Sequence, residues 1–446
     1  MTGPGAPLGR ARRAHREAME KVYSAARVQP EEHRDVLAQL WKENLAHGEV
    51  SQEFLERRMR WFQEQNPAGP PRTWMGFHGP EREIIGSGSF YPRDIYVSGR
   101  KLKAGVLGDF GVTKAHRIAG AAMSIQRELA RGCRDAGVDF LYGFPNKASF
   151  PIFQRAGYKK IADSIIWVRP LMAAYKLHEL ASSSAGEQHS TVSAVVQRVA
   201  ERAASAIPHP RWRALWEAAE PAAAPAPLTQ ALSTAAERLV QRATVKPDNA
   251  LVRAAGRAVD GSMALRDAAA LLARGSRVRT ELVDAADHRF DELWSRAKPA
   301  PIAGERSAQF LNWRYAQLGN IRHRFFCMLD RHDGRLLGYA VYAVRNNKVE
   351  VTDLFCEDDG PLLDALLLEF CQAMRREGHV SVGMLLVTPP AFNARLRALG
   401  FFSRPHPPKV GSRWLVVHLD PSFPEELRRV LLDPNSWFMT DGELDV

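Results

Sequence analysis

The stretch that most constrains this chain is Ala104–Ala122, AGVLGDFGVTKAHRIAGAA. An apolar strand, Val106 to Val112, runs through the polar turn Thr113-Lys114-Ala115-His116 into a helical pattern. Ile118, Ala122, Ile125, Leu129 and Cys133 then recur every three or four residues, the spacing of one buried helix face. Small residues at Gly120 and Ala122 let a ligand approach the backbone of the first helical turn. That turn has N–H groups without intrahelical partners and the positive end of the helix dipole, so it suits a pyrophosphate. Arg117 adds a fixed positive charge beside it, and His116 is placed either to reach a phosphate or to lie in an exposed turn.

A strand feeding an R-x-x-G-x-A helix start (Arg117, Gly120, Ala122) resembles the acyl-CoA pyrophosphate loop of the GNAT superfamily of N-acyltransferases. The order of elements supports the resemblance. The sequence predicts a strand over 23–28, a helix from Pro30 carrying Leu37, Leu40 and Trp41, and a second helix over 52–65 that stops at Asn66-Pro67-Ala68-Gly69. Strands follow at 73–77, 83–91 and 101–112, then the Arg117 helix, a buried strand 139–144, a short helix 149–156 and a last strand over 161–169. The phrase Tyr142-Gly143-Phe144-Pro145-Asn146, followed by Phe153-Gln154-Arg155-Ala156-Gly157-Tyr158, is similar to the family's N-x-x-A and Y-E-K-L-G-F ending.

At 446 residues the chain is long enough for two or three domains. Residues 1–18 are expected to be a flexible tail and 19–171 an N-terminal GNAT domain that binds acyl-CoA. Residues 172–275 turn rich in Ala, Arg, Ser and Pro, which predicts a helical and flexible connector with helices over 191–206 and 228–243. From 276 to 446 the first half's order recurs, including an Asn346-Asn347 hairpin and a closing strand over 412–419. Trp61 and Trp313 fall at matching places near the end of the second helix of each half. The expected fold is α/β (α+β): two GNAT-fold domains, each a mixed, mostly antiparallel sheet flanked by helices.

In the second half, Glu357-Asp358-Asp359-Gly360 stands where the family has Arg and glycines, and its carboxylates would repel a pyrophosphate. That half is expected to be degenerate for CoA, with Asn312-Trp313-Arg314-Tyr315 serving as core and interface residues or as acceptor contacts. In the first half the resemblance implies that acetyl-CoA or another acyl-CoA is held by Phe110, Gly111, Val112, Arg117, Ile118, Ala119, Gly120, Ala121, Ala122, Asn146 and Phe153. Asp109 lies where members place a carboxylate base, although a structural pair with Arg or Lys is equally consistent with its position. Phe153 occupies the position of the family's acidic Tyr and cannot donate a proton, which leaves Tyr142 and Tyr158 as substitutes.

The net charge of +11 is spread along the chain without the clustered basic and aromatic residues of a nucleic-acid module, so anionic co-substrates are its expected beneficiaries. Four scattered cysteines fit a reducing cytoplasm, no apolar run spans a bilayer, and no ligand cluster at metal spacing is legible. P-loop, H-E-x-x-H and G-x-S-x-G motifs are absent, and Gly86-Ser87-Gly88-Ser89 does not open a helix. The expected activity is acyl transfer, most simply of acetyl, to the amine of a small molecule. An amino sugar is suggested by likeness of the Arg58, Trp61, Asn66, Pro67, Gly69 run and of Phe310 to Tyr315 to bacterial members encoded near polysaccharide or secondary-metabolite genes. An aminoacyl-tRNA-dependent tandem GNAT and a non-catalytic binding protein are the alternatives.

Overall fold

A computed structural model describes residues 22–46, 49–117, 119–172, 250–273, 278–297, 300–317, 321–407 and 411–444. The expected tail, the helices over 191–206 and 228–243, and Ile118 lie outside the described residues.

The first half contains β1 (Tyr23–Val28), α1 (Arg34–Asn44), α2 (Gln52–Glu64), β2 (Arg72–His78), β3 (Glu83–Val97), β4 (Arg100–Val112), α3 (Ala119–Arg131), β5 (Phe140–Gly143), α4 (Phe150–Arg155) and β6 (Lys159–Asp163). Local chemistry accounts for the boundaries. The Ser51 hydroxyl caps α2 by accepting the Phe54 N–H, and Ser98-Gly99, both at positive φ, turn the β3–β4 hairpin. Ile125 and Leu129 of α3 are fully buried against the sheet, as their spacing predicts. Gly88 makes this approach possible, because a Cβ there would stand 2.9 Å from Ile125 Cγ2. The Gly-Ser run is therefore a packing surface for α3.

The second half begins after β7 (Ile165–Pro170) and the long helix α5 (Ala250–Ala273). It runs β8 (Val278–Val283), α6 (His288–Arg296), β9 (Ile302–Gly304), α7 (Ala308–Leu311), β10 (Arg324–Asp330), β11 (Leu336–Arg345), β12 (Lys348–Cys356), α8 (Pro361–Arg376), β13 (Ser381–Val387), α9 (Pro390–Ala398) and β14 (Phe402–Arg404). It finishes with β15 (Trp414–His418), α10 (Glu425–Leu432) and β16 (Met439–Thr440). Asn346 and Asn347 both take positive φ at the β11–β12 turn, as expected.

Two eight-stranded mixed sheets result. The first has the order β1-β2-β3-β4-β5-β15-β6, with β9 added on β3; the second has β8-β10-β11-β12-β13-β7-β14, with β16 added on β13. Position by position the orders correspond, but the strand second from the end of each sheet comes from the other half. The single strand expected over 161–169 is in fact two. Ser164 breaks it, its N–H and hydroxyl both bonding to Arg413 O, and β7 crosses into the second sheet. In return β15, expected to close its own half, pairs with β5 and β6 of the first sheet. Apolar alternation fixes which face of a strand is buried, and it does not say which sheet receives the strand.

The halves meet around Trp61 and Trp313, whose rings stack at 4.7 Å and 10°. Each indole N–H donates to the other residue's carbonyl, at 2.6 and 3.1 Å. The matched positions in sequence thus lie on a local pseudo-two-fold axis. Asn312 bonds both backbone groups of Ala286, and Arg314 donates to Gly442 O. This segment therefore serves the core and interface.

Candidate active site

β4 and β5 are parallel but pair only from Ala104↔Phe140 to Val106↔Tyr142. Beyond that, β4 continues to Val112 along β3, while the other chain turns away after Gly143 at Phe144-Pro145. The result is a wedge open between the two strands. Its apex is tight, since a Cβ on Gly143 would stand 2.8 Å from Leu107 Cβ.

The β4 side of the wedge carries a bulge. Ser87 pairs with Gly111 and Ser89 with Gly108, so Asp109 and Phe110 together face Gly88, and Asp109 takes φ +51°. A bulge leaves its extra residue out of the ladder and re-aims the strand, which makes backbone N–H groups available at the wedge. Arg58 of α2, almost fully buried, holds the Asp109 carboxylate at 2.6 Å. Asp109 is therefore a paired carboxylate. It also lines a small cavity under α1 and α2 whose walls include Leu37, Trp41, Phe62, Thr73 and Ser87.

At the open end of the wedge, Arg117 Nε donates to Val112 O and its Nη2 to Asn44 Oδ1, which ties β4, α1 and the loop before α3 together. The first turn of α3 follows, with Ala119, Gly120, Ala121 and Ala122 supplying N–H groups that no earlier helical carbonyl can accept. On the opposite side Asn146 Oδ1 accepts the N–H groups of Ala148 and Ser149 and so shapes the entry to α4.

The aromatic candidates separate onto opposite faces of the sheet. Phe153 is buried edge-on to Phe110 at 5.7 Å and to Tyr158 at 5.1 Å, on the α3 face. Tyr158 joins that cluster with Cys133 and stacks near His418 of the exchanged β15. Tyr142 stands at the last paired position before the wedge, on the other face, among Phe140, Phe144 and Trp437. Burial pushes both phenols well above their ordinary value; the carboxylate of Glu443 raises Tyr142 further, and Arg93 opposes it. The Tyr158 hydroxyl has no hydrogen-bond partner among the described residues. Burial likewise lowers the His418 imidazole.

The second sheet has a corresponding divergence, but it is filled. β12 pairs in parallel with β13 only over Lys348–Val351, and farther along β13 the partner is β16 of the C-terminal segment. Thr440 Oγ1 donates to Asp353 Oδ1 at 3.0 Å, and Gly442 is packed so closely on Tyr315 and Thr352 that no side chain would fit. The acidic loop before α8 is committed as well. Glu357 pairs with Arg335, and Asp358 accepts the Gly360 N–H. Sequence patterning gave no sign of this filled wedge, because residues 436–444 have no family-like motif.

A parallel strand pair splayed beside a β-bulge is thus followed by the helix α3. Residues 25–161 match the family model described as "Acetyltransferase (GNAT) domain". The first half thus carries the match to a GNAT acetyltransferase domain, and the second half repeats its strand order. That family implies an acyl-CoA donor. Among solved structures, a probable N-acyltransferase from Enterococcus faecalis V583 matches with TM-score 0.52 at 9% identity, over 89% of this chain and 72% of that one. A GCN5-related N-acetyltransferase from Anabaena variabilis ATCC 29413 matches with TM-score 0.50 at 10% identity, over 89% and 72%. At such identities the likeness is one of fold. No curated protein matches the sequence.

Proposed function

We propose that the protein transfers an acyl group, most simply acetyl, from CoA to the amine of a small molecule, and that the donor sits in the N-terminal domain. The observation that carries this is the contrast between the wedges: the first is open beside Arg117 and α3, while β16 and Gly442 fill the second. An amine nitrogen attacks the thioester carbonyl, the C–S bond breaks, and CoA leaves as a thiolate that takes up a proton. N–H groups of Phe110–Val112 polarise the carbonyl, and the first turn of α3 with Arg117 receives the pyrophosphate. Asp109, fixed by Arg58, takes the amine's proton through a water, for which the small cavity under α1 and α2 has room. Tyr142 lies at the apex and keeps its own proton at neutral pH, so it is the phenol placed to protonate the thiolate. Asn146 and Phe153 shape the far wall.

Calorimetric titration with acetyl-CoA tests the donor site. Saturable one-site binding is expected for the wild type and is expected to vanish in Gly120→Glu, which sets a carboxylate in the phosphate-binding turn. Absence of binding by the wild type to acetyl-CoA and to longer acyl-CoAs overturns the reading.

A further inference from the structure

The proposed reaction leaves unused a group of metal-ligating side chains at the edge of the first sheet. His78 closes β2, Glu83 opens β3 in register with it, and His116 stands in the turn between β4 and α3. His78 Nδ1 lies 3.3 Å and His116 Nε2 3.6 Å from the same carboxylate oxygen, Glu83 Oε2. All three donor atoms fall within 4.8 Å of one another. Bonds of about 2.0–2.2 Å to nitrogen and oxygen place the donors of a tetrahedral zinc site about 3.3 Å apart. Two edges of the triangle are already near that length.

The support around the group has the same character. The second ring nitrogen of His116, Nδ1, lies 3.4 Å from the Tyr23 hydroxyl, the kind of outer contact that fixes the ring of a ligating histidine. Tyr23, buried on β1, also packs its ring against both imidazoles, at 5.2 and 6.0 Å. In the ligating form two imidazoles and one carboxylate carry a net charge of −1, which a divalent cation offsets. Two nitrogens with one oxygen favour zinc-class ions over magnesium or calcium, which take oxygen shells.

We infer that His78, Glu83 and His116 form a divalent metal site of the zinc class, with a fourth position open to water. Its place gives it a structural role. His116 directly precedes Arg117, so a bound ion clasps the β2–β3 hairpin to the loop that carries the donor-binding turn. The inference stands on geometry that the acyl-transfer reading does not use.

The test is titration of the tag-free, metal-stripped protein with Co²⁺, followed by visible ligand-field absorption, and then displacement by Zn²⁺. The wild type is expected to take up one Co²⁺ per chain that Zn²⁺ displaces. His78→Ala and His116→Ala should each weaken binding about tenfold or more, and Tyr23→Phe about tenfold through the ring it holds. Glu83→Gln, at a largely exposed position, should also weaken binding and covers the case of a misfolded histidine variant. Acetyl-CoA binding is read separately, so failure of either site leaves the other visible. A wild type that binds no Co²⁺, or binding undiminished in the His116 and Glu83 variants, overturns the inference.

Discussion

Glu443→Gln tests how the C-terminal segment is held against the first domain. The Glu443 carboxylate receives Arg93 through two bonds, Nε at 3.1 Å and Nη2 at 3.0 Å, and Arg306 Nη2 at 3.1 Å. The three side chains are 1–3% exposed. The packing there is close, since a Cβ on Gly304 would meet both Glu443 oxygens at 2.7 Å. Glutamine keeps the volume but leaves two buried guanidiniums with Asp353 as the remaining carboxylate against Arg306. Removing one partner of such a buried network costs about 3–5 kcal/mol. The assay is urea unfolding of both proteins at neutral pH, then at falling pH. Burial alone would push the Glu443 carboxyl up, but Arg93 and Arg306 outweigh it and hold it below its ordinary value. A depressed carboxyl contributes stability above its unfolded value and loses it as pH falls through the folded one. The wild-type advantage is therefore expected to be full above about pH 5 and to shrink in acid. A variant within about 1 kcal/mol of wild type at neutral pH, or a gap that widens as pH falls, refutes the argument.

Two further predictions follow from the site and the interface. Trp313→Ala removes the stacked ring and the hydrogen bond its indole donates to Trp61 O, so a loss of about 3–5 kcal/mol is expected in urea unfolding. Combined with Trp61→Ala, it should cost less than the sum, because the two residues share one contact. Tyr142→Phe is expected to lower kcat about 100-fold with little change in KM, whereas Tyr158→Phe leaves kcat within about twofold. The Tyr158 change should not destabilise, since its buried hydroxyl has no partner among the described residues; a kcat loss confined to Tyr158→Phe would reverse the assignment.

Much of the fold is legible because the elements announce themselves locally. The Ile125 and Leu129 face of α3, the Asn346-Asn347 turn and the matched tryptophans are all written in periodicity or residue type. The residues flanking the wedge could be named for the same reason, because one contiguous segment supplies β4, Arg117 and the start of α3. Contacts between distant segments are a different matter. Nothing near Asp109 in sequence points to Arg58, 51 residues earlier, and nothing at Thr440 points to Asp353. His78, Glu83 and His116 have no metal-like spacing, because a β-hairpin and a later turn converge to bring them together. The destination of β7 and β15 is hidden for the same physical reason, since either sheet offers an apolar, half-buried berth.

The crossed strands β7 and β15 also limit how the protein can move. Many two-domain enzymes admit substrate by swinging about a linker, but here such a swing would tear backbone ladders out of both sheets at once. The halves must travel as one body. Access to the cavity beside Asp109 then falls to α1 and α2, which cover it from outside the sheets and can shift without breaking a strand pair. By the same logic, either half made alone would expose an unfilled slot in its sheet and a stray strand seeking one, so severed halves should seek each other out and reassemble.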